Sequence, residues 1–580
     1  HKWNRGEASY YVHSCFVIKF YSCIFEDNVQ AVHVKDCNVF KAYNLTISHN
    51  SRKYHTRYGT GSLTFGDKST FSAIMNISIS GSHFNNEYTS VIVLIKVVNL
   101  FVVNCTFQRN HDANLLANTH VKLLNAAIFL INCSFTNNSV SATPLLDLYC
   151  LGKLKVVECV FNLNHVRQDL ISLQKVTQLQ IIKSEFIYNI AEHIMHYINE
   201  FINTPKPKQE ITYSVLICKA IFVAHQKQIK TPKEHNIPFY FVNKDGPVIV
   251  KLFEIELVTD ALGIFYLKDV SLTLIKLKLN HKREILPTLL NANIHAIGRG
   301  NVTLMSCSFI YKVRTLYTED KVRDEIKVIN CTFMFNNAEF GGALQIDNIE
   351  SIIITSSVLN HCTATKSGGA MWINNAKTVY IKTVVIVHNK AVRFGGGIYL
   401  GFIDNIVLVN TSFIKNIALS NGAGVYVLTV FEGIQIISST FTSNVLTQIN
   451  NSTSHNKETK NEIQQTVNFV CFKSKWLVLD TVHIINSRSP GILIKFDSNP
   501  NIYLKDLSFT CPVQRILITV PNYILNTYYY LNKNVFFGAK GSIEYQCREC
   551  LGTKYMEGSG KLNIGNPAIL FELQIKYENS

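Results

Sequence analysis

The chain has 580 residues, 47% hydrophobic and 17% charged, with only 12 Pro and 28 Gly. That balance excludes collagen-like, low-complexity and intrinsically disordered sequence, and it allows a large buried core. The 56 basic residues outnumber the 40 acidic ones by 16, which favours acidic partners. The lysines nevertheless lie singly along strand-like runs (Lys153, Lys155, Lys183, Lys276, Lys278), so a solvated basic surface is expected and nucleic acid is not.

Residues 1–6, from His1 to Gly6, contain no apolar signal-peptide core and read as the start of a mature form or a fragment. Residues 91–103 form the longest apolar run. Lys96 and Asn99 interrupt it, and a spanning helix needs about 20 apolar residues, so no transmembrane segment is expected. Before residue 100 a repeated motif, Phe-x-x-Asn, is present only as fragments such as Phe25/Asn28. It then runs as Phe107/Asn110, Phe135/Asn138, Phe161/Asn164 and Phe186/Asn189, at intervals of 28, 26 and 25 residues.

The polar stretch 203–238, with Pro205, Pro207, Pro232 and Pro238, is expected to be a loop insertion or distorted coils. Regularity returns with Phe333/Asn336, Leu359/Cys362, Ile386/Asn389, Phe413/Asn416 and Phe441/Asn444, at intervals of 26, 27, 27 and 28. Beside it a glycine motif recurs every 27 residues: Gly341-Gly342-Ala343-Leu344, Gly368-Gly369-Ala370-Met371, Gly395-Gly396-Gly397-Ile398 and Gly422-Ala423-Gly424-Val425. A second hydrophilic excursion occupies 446–466. Strand-like runs continue to residue 510, and the Tyr-rich, Cys-bearing segment 511–580 reads as an end cap and the start of a cysteine-rich module.

A unit of 24–28 residues, built from short β-branched and aromatic runs between Gly, Asn and Asp turns, has no sustained 3.6-residue period. The leucine-rich consensus of similar length is absent. Three short strands and three turns fill such a unit, which is one coil of an all-β parallel β-helix. Coils stacked about 4.8 Å apart place each residue over its equivalent. Phe then stacks on Phe, and Asn sits at a turn, accepts left-handed dihedrals and bonds to its neighbours. The Gly pairs allow a tight turn without a Cβ clash.

The pairing of Gly-Gly-Ala-[Ile/Leu/Val] with Phe-x-x-Asn resembles the repeats of the chlamydial polymorphic outer membrane proteins. More broadly it is similar to the right-handed parallel β-helix of the pectin-lyase-like group. The resemblance implies that fold over residues 1–510 and a surface or adhesive role. Cys547-Arg-Glu-Cys550, followed by Gly552 and Tyr555, resembles the opening of extracellular cysteine-rich modules of the ephrin-receptor-like type.

Two groups stand out among the 15 cysteines. Cys23, Cys105, Cys133, Cys159, Cys307 and Cys331 each lie two residues before the motif Phe or its equivalent, hence on the same inward face; neighbours such as Cys105 and Cys133, one coil apart, are within disulfide range, but buried thiols are the reading expected. Cys511, Cys547 and Cys550 are the disulfide candidates, with Cys471 a further partner, and they point to an oxidising compartment. Glycosylation sequons occur at Asn44, Asn76, Asn104, Asn132, Asn137, Asn301, Asn330, Asn410, Asn450 and Asn451. Asn450 and Asn451, in the polar excursion, lead this set, with Asn137 and Asn44 as further candidates.

Glu350, Lys377, Asp404 and Glu432 precede one strand of successive coils at spacings of 27, 27 and 28. Asp404 and Glu432 would be neighbours, while Glu350 and Asp404 would lie about 9.6 Å apart, the range of carboxylate pairs in glycosidases. Alternating charge is also what stacked turns adopt to avoid like-charge contact, and a polar ladder is the reading expected. No cofactor or metal site is expected, and His361 and His388, 27 apart, can stack. The chain therefore reads as a non-catalytic extracellular or cell-surface β-helix for recognition or adhesion, with surface glycans or proteins as partners. The alternative is a polysaccharide lyase or glycoside hydrolase acting on an acidic glycan.

Overall fold

In the computed structural model the described chain extends from residue 10 to residue 546. It omits 28–29, 50–60, 67–73, 89, 96, 112–113, 119–122, 142, 150, 200–212, 225–238, 244–247, 260–263, 282–291, 311–313, 320–322, 447–468, 472–473, 486–491, 496–500, 506–507, 511–513, 520–527, 533–535 and 538–540. Every regular element among the described residues is a β-strand, paired in parallel, and the fold is an all-β parallel β-helix. No helix long and apolar enough to cross a membrane is present among them. Two compact units divide the chain: residues 1–284 with 294–296, and residues 285–293 with 297–580.

In the first unit, the motif Phe residues become one column. Phe84, Phe107, Phe135, Phe161 and Phe186 pair in register from coil to coil and lead on to Phe222. Their rings stack at 4.4–4.8 Å between centroids. That distance is the coil rise itself, so the rings lie nearly parallel in the interior, each burial contributing roughly 2–3 kcal/mol. Alternation does the rest. In Val97–Val103 the side chains at Val97, Leu100 and Val102 are buried, while the residues between them are part-exposed.

Four coils of the second unit are built alike. Leu344–Thr355, Met371–Lys382, Ile398–Val409 and Val425–Ile437 form the long sheet. Short strands follow each, such as Val358–Asn360 and Thr363–Ala364 after the first. Phe333, Leu359, Ile386, Phe413 and Phe441 stand in one register column, all fully buried. Gly341, Gly368, Gly395 and Gly422 adopt φ of 56–71°, the left-handed region open to glycine. The second glycine has a different reason. A Cβ on Gly369 would lie 2.0 Å from the carbonyl oxygen of Gly396 in the next coil.

One expectation is corrected. The left-handed residue of the Phe-x-x-Asn turn is the one before the Asn: Arg109, Asn137, Leu163, Tyr188, Phe335, His388, Lys415 and Ser443 have φ of 49–58°. The Asn itself turns inward, because its amide has buried backbone partners there. Within 203–238, residues Tyr213–Cys218 and Ile221–Ala224 are strands in register with their neighbours, since Val215, Ile217 and Phe222 supply an inward alternation. Past residue 510, within the segment read as the end cap, Gln514–Thr519, Tyr528–Asn532 and Gly541–Gln546 pair in parallel. Tyr-rich sequence suits a strand as well as Phe does. The 446–466 excursion beyond Leu446, and residues 547–580, lie outside the described residues.

Candidate functional site

The carboxylates marked as a possible acid–base set lie on the long strands of the second unit. Glu350 Oε1 accepts a 2.7 Å hydrogen bond from Lys377 Nζ, and Glu432 Oε1 accepts one of 3.2 Å from Lys475 Nζ. The Lys377 ammonium is held above its usual range by Glu350 first and by Asp404 second. Lysine thus intervenes in the column, and Glu350, Lys377, Glu432 and Lys475 are exposed. Glu350 and Glu432 each face an ammonium one coil away, an arrangement that disperses charge along the stack.

A different face of the same coils is aromatic. Gln345, Trp372, Tyr399 and Tyr426 pair in sequence across four long strands. Each follows an inward, fully buried residue (Leu344, Met371, Ile398, Val425) and so points outward. Trp372 and Tyr399 stack with centroids 6.0 Å apart and planes 7° apart, and Tyr399 and Tyr426 at 5.4 Å and 12°. Phe340 leans on Trp372 at 5.5 Å, and Phe394 stacks on Tyr426 at 4.6 Å.

The glycine turns make room for these rings. A Cβ on Gly368 would lie 3.0 Å from the Cβ of Trp372, and one on Gly422 2.8 Å from that of Tyr426. Trp372, Tyr399, Phe340 and Phe394 remain part-exposed, while Tyr426 is mostly covered.

Polar groups border the stripe. Two residues along the strands, Asp347 Oδ1 accepts hydrogen bonds from Asn374 Nδ2 at 3.0 Å and Asn375 Nδ2 at 3.1 Å. Gly401 takes the next place in that row, where a Cβ would meet Asn374 Oδ1 at 1.9 Å. Lys366 Nζ sits 4.8 Å from the centre of the Phe340 ring and pairs with Glu339. Burial raises the Tyr399 phenol, and burial together with Tyr399 pushes that of Tyr426 up to about 12, so both stay neutral donors. The signal for the stripe lies one residue past each glycine motif, where position five reads Gln345, Trp372, Tyr399 and Tyr426.

Sequons fall into register too. Asn44, Asn104, Asn132, Asn330 and Asn410 are exposed turn residues with φ of 50–53°. Each precedes an inward residue and then an outward Ser or Thr that opens the short strand. Asn132 Nδ2 donates to Asn104 Oδ1 at 2.8 Å, linking adjacent rungs. Asn137 is also exposed, with φ 54°. Asn450 and Asn451 lie outside the described residues, as do Cys511, Cys547 and Cys550.

No disulfide forms among the described residues. Cys105, Cys133, Cys159 and Cys331 are buried thiols, Cys307 is buried, and Cys23 is half-buried. Hydrogen bonding to Cys133 and burial hold the Cys105 and Cys159 thiols well above the ordinary range. His361 and His388 lie next to each other in an exposed turn column, with ring centroids 4.7 Å apart but planes tilted by 33°. Comparison with protein-family models, curated proteins and solved structures finds no match to this chain.

Proposed function

We propose that this chain is a non-catalytic recognition module of the extracellular space or cell surface, binding glycans through the outer aromatic stripe of its second unit. The observation that carries the reading is the Trp372–Tyr399–Tyr426 stack, extended by Phe340 and Phe394. The C–H faces of sugar rings carry slight positive charge and pack on the negative faces of aromatic rings. Hydroxyls around the sugar edge need fixed polar partners, and Asp347, Asn374 and Asn375 supply both donors and acceptors beside the stripe. Repetition of one coil then offers successive sugars equivalent contacts. The pectin-lyase-like resemblance of the repeats and their likeness to chlamydial adhesive surface proteins support the same role.

Binding of the purified chain to an array of neutral and acidic glycans tests the reading. Trp372→Ala and Tyr399→Ala are expected to abolish the signal for the preferred glycan while the circular dichroism spectrum is unchanged. Equal binding by the variants would remove the stripe from the function. Release of oligosaccharides from a uronic-acid polymer, lost in Asp404→Ala and Glu432→Ala, would replace recognition with the lyase or hydrolase reading.

A further inference from the structure

Asp169 and His193 occupy equivalent places in successive coils of the first unit. Each lies two residues before a strand, Ile171–Gln174 and Met195–Asn199, and those strands pair Ile171 with Met195. The Leu170 N–H donates to the His193 carbonyl at 2.8 Å, fixing the two turns together. His196 projects from the second strand beside Ser172 on one side and Tyr240 on the other.

Both imidazoles address one carboxylate. His193 Nδ1 lies 2.6 Å from Asp169 Oδ1, and His196 Nδ1 lies 2.8 Å from Oδ2. Burial pushes the Asp169 carboxyl up, but hydrogen bonds from His193 and His196 overcome it and leave it below the usual range. Both Nδ1 atoms therefore converge on the two oxygens of one carboxylate. His193 Nε2 is sealed from solvent and has no hydrogen-bond partner, on a side chain only 8% exposed. Tyr240 walls the group, its ring 5.4 Å from that of His193 and 5.0 Å from that of His196.

We propose that Asp169, His193 and His196 bind one divalent transition-metal cation of zinc's class. The donor atoms of the three residues lie within 4.8 Å of one another. Two imidazoles and a carboxylate form a ligand set suited to zinc, with water completing the shell, whereas calcium demands more oxygens. The atoms that converge are His193 Nδ1, His196 Nδ1 and the Asp169 carboxylate oxygens, and a cation seated among them takes the place of the shared protons. A dication held there offsets the buried carboxylate charge. His196, with 26% of its side chain exposed, opens the route from solvent.

The test uses the whole chain, stripped with a chelator and titrated with zinc or cobalt(II). One tight equivalent is expected, with a visible cobalt absorption band and a rise in melting temperature. His196→Gln, at the most exposed of the three positions, is expected to weaken that equivalent by at least about tenfold with an unchanged circular dichroism spectrum. His388→Ala, which removes an exposed imidazole of the second unit, is expected to retain it. Should His196→Gln misfold, Asp169→Asn keeps the shape of the carboxylate and is expected to show the same loss. Absence of a tight equivalent in the native chain, or equal zinc affinity in native chain and folded variant, overturns the site.

Discussion

Asn416 Oδ1 accepts two hydrogen bonds from Asn389 in the preceding coil, one from the backbone N–H at 3.1 Å and one from the side-chain amide at 3.0 Å. Asn416 in turn donates its own N–H and amide to Asn444 Oδ1, at 2.9 and 3.1 Å, and its amide also to the Ile386 carbonyl at 2.8 Å. Asn110, Asn138, Asn164 and Asn189 repeat the scheme in the first unit. Each rung is buried, and inner rungs such as Asn138, Asn164 and Asn416 are bonded to an Asn on both sides, so the column fixes register where apolar packing alone would permit sliding.

Asn416→Ala leaves two buried donors of Asn389 without their acceptor and opens a small void. A loss of about 2–4 kcal/mol is expected, visible as a lowered midpoint in urea unfolding. Cys362 interrupts the same column: its N–H donates to Asn389 Oδ1 at 2.8 Å, but its thiol only brushes Asn336 Oδ1 at 3.9 Å. Cys362→Asn restores the missing rung and is expected to raise the melting temperature. A lower value would show that the flanking coils cannot receive the amide.

The aromatic column discriminates shape from chemistry. Phe161 is held between Phe135 at 4.4 Å and Phe186 at 4.6 Å. Phe161→Ala is expected to cost about 3–5 kcal/mol, and Phe161→Leu clearly less, since Leu359 and Ile386 fill the equivalent place in the second unit. Thermal melts of the two variants side by side check the order.

Gly396 has no spare space. A Cβ there would lie 2.5 Å from the carbonyl oxygens of both Ala423 and Ile417, backbone atoms that cannot rotate away. Gly396→Ala is expected to force two coils apart and lower the melting temperature more than His388→Gly, where the left-handed turn is exposed and glycine adopts it freely. Similar melts for the two would refute the close-approach account.

Lys377 separates Glu350 from Asp404. Lys377→Glu aligns three carboxylates in successive coils and is expected to lower the melting temperature at low ionic strength. Added salt should restore most of the loss, because the groups are exposed and screened. A deficit indifferent to salt would point to packing instead of charge.

Spacing alone made the coil legible, because a 27-residue period leaves identical side chains no neighbours except one another. Phe333, Leu359, Ile386 and Phe413 form the column their positions implied. Which residue of the turn is left-handed was not legible: Phe335, His388 and Lys415 share no chemistry, and exposed turns tolerate all of them. The aromatic stripe was present in the period but concealed by variety, with Gln345 opening a row that continues as Trp372. The Asp169–His193–His196 group was hidden for another reason. Its members come from two coils of unequal sequence, and only the register that pairs Ile171 with Met195 unites them.

The turn carrying Asn44, Asn104, Asn132, Asn330 and Asn410 has an evolutionary corollary. Its dihedral favours Asn, the interior selects the next residue, and the strand that follows welcomes Ser or Thr, so the acceptor tripeptide is a by-product of folding one lap. Tandem duplication of a lap would copy the acceptor with it. In a lineage that exports such proteins, lengthening the molecule would add carbohydrate at regular intervals along one ridge without any selection for the sugar.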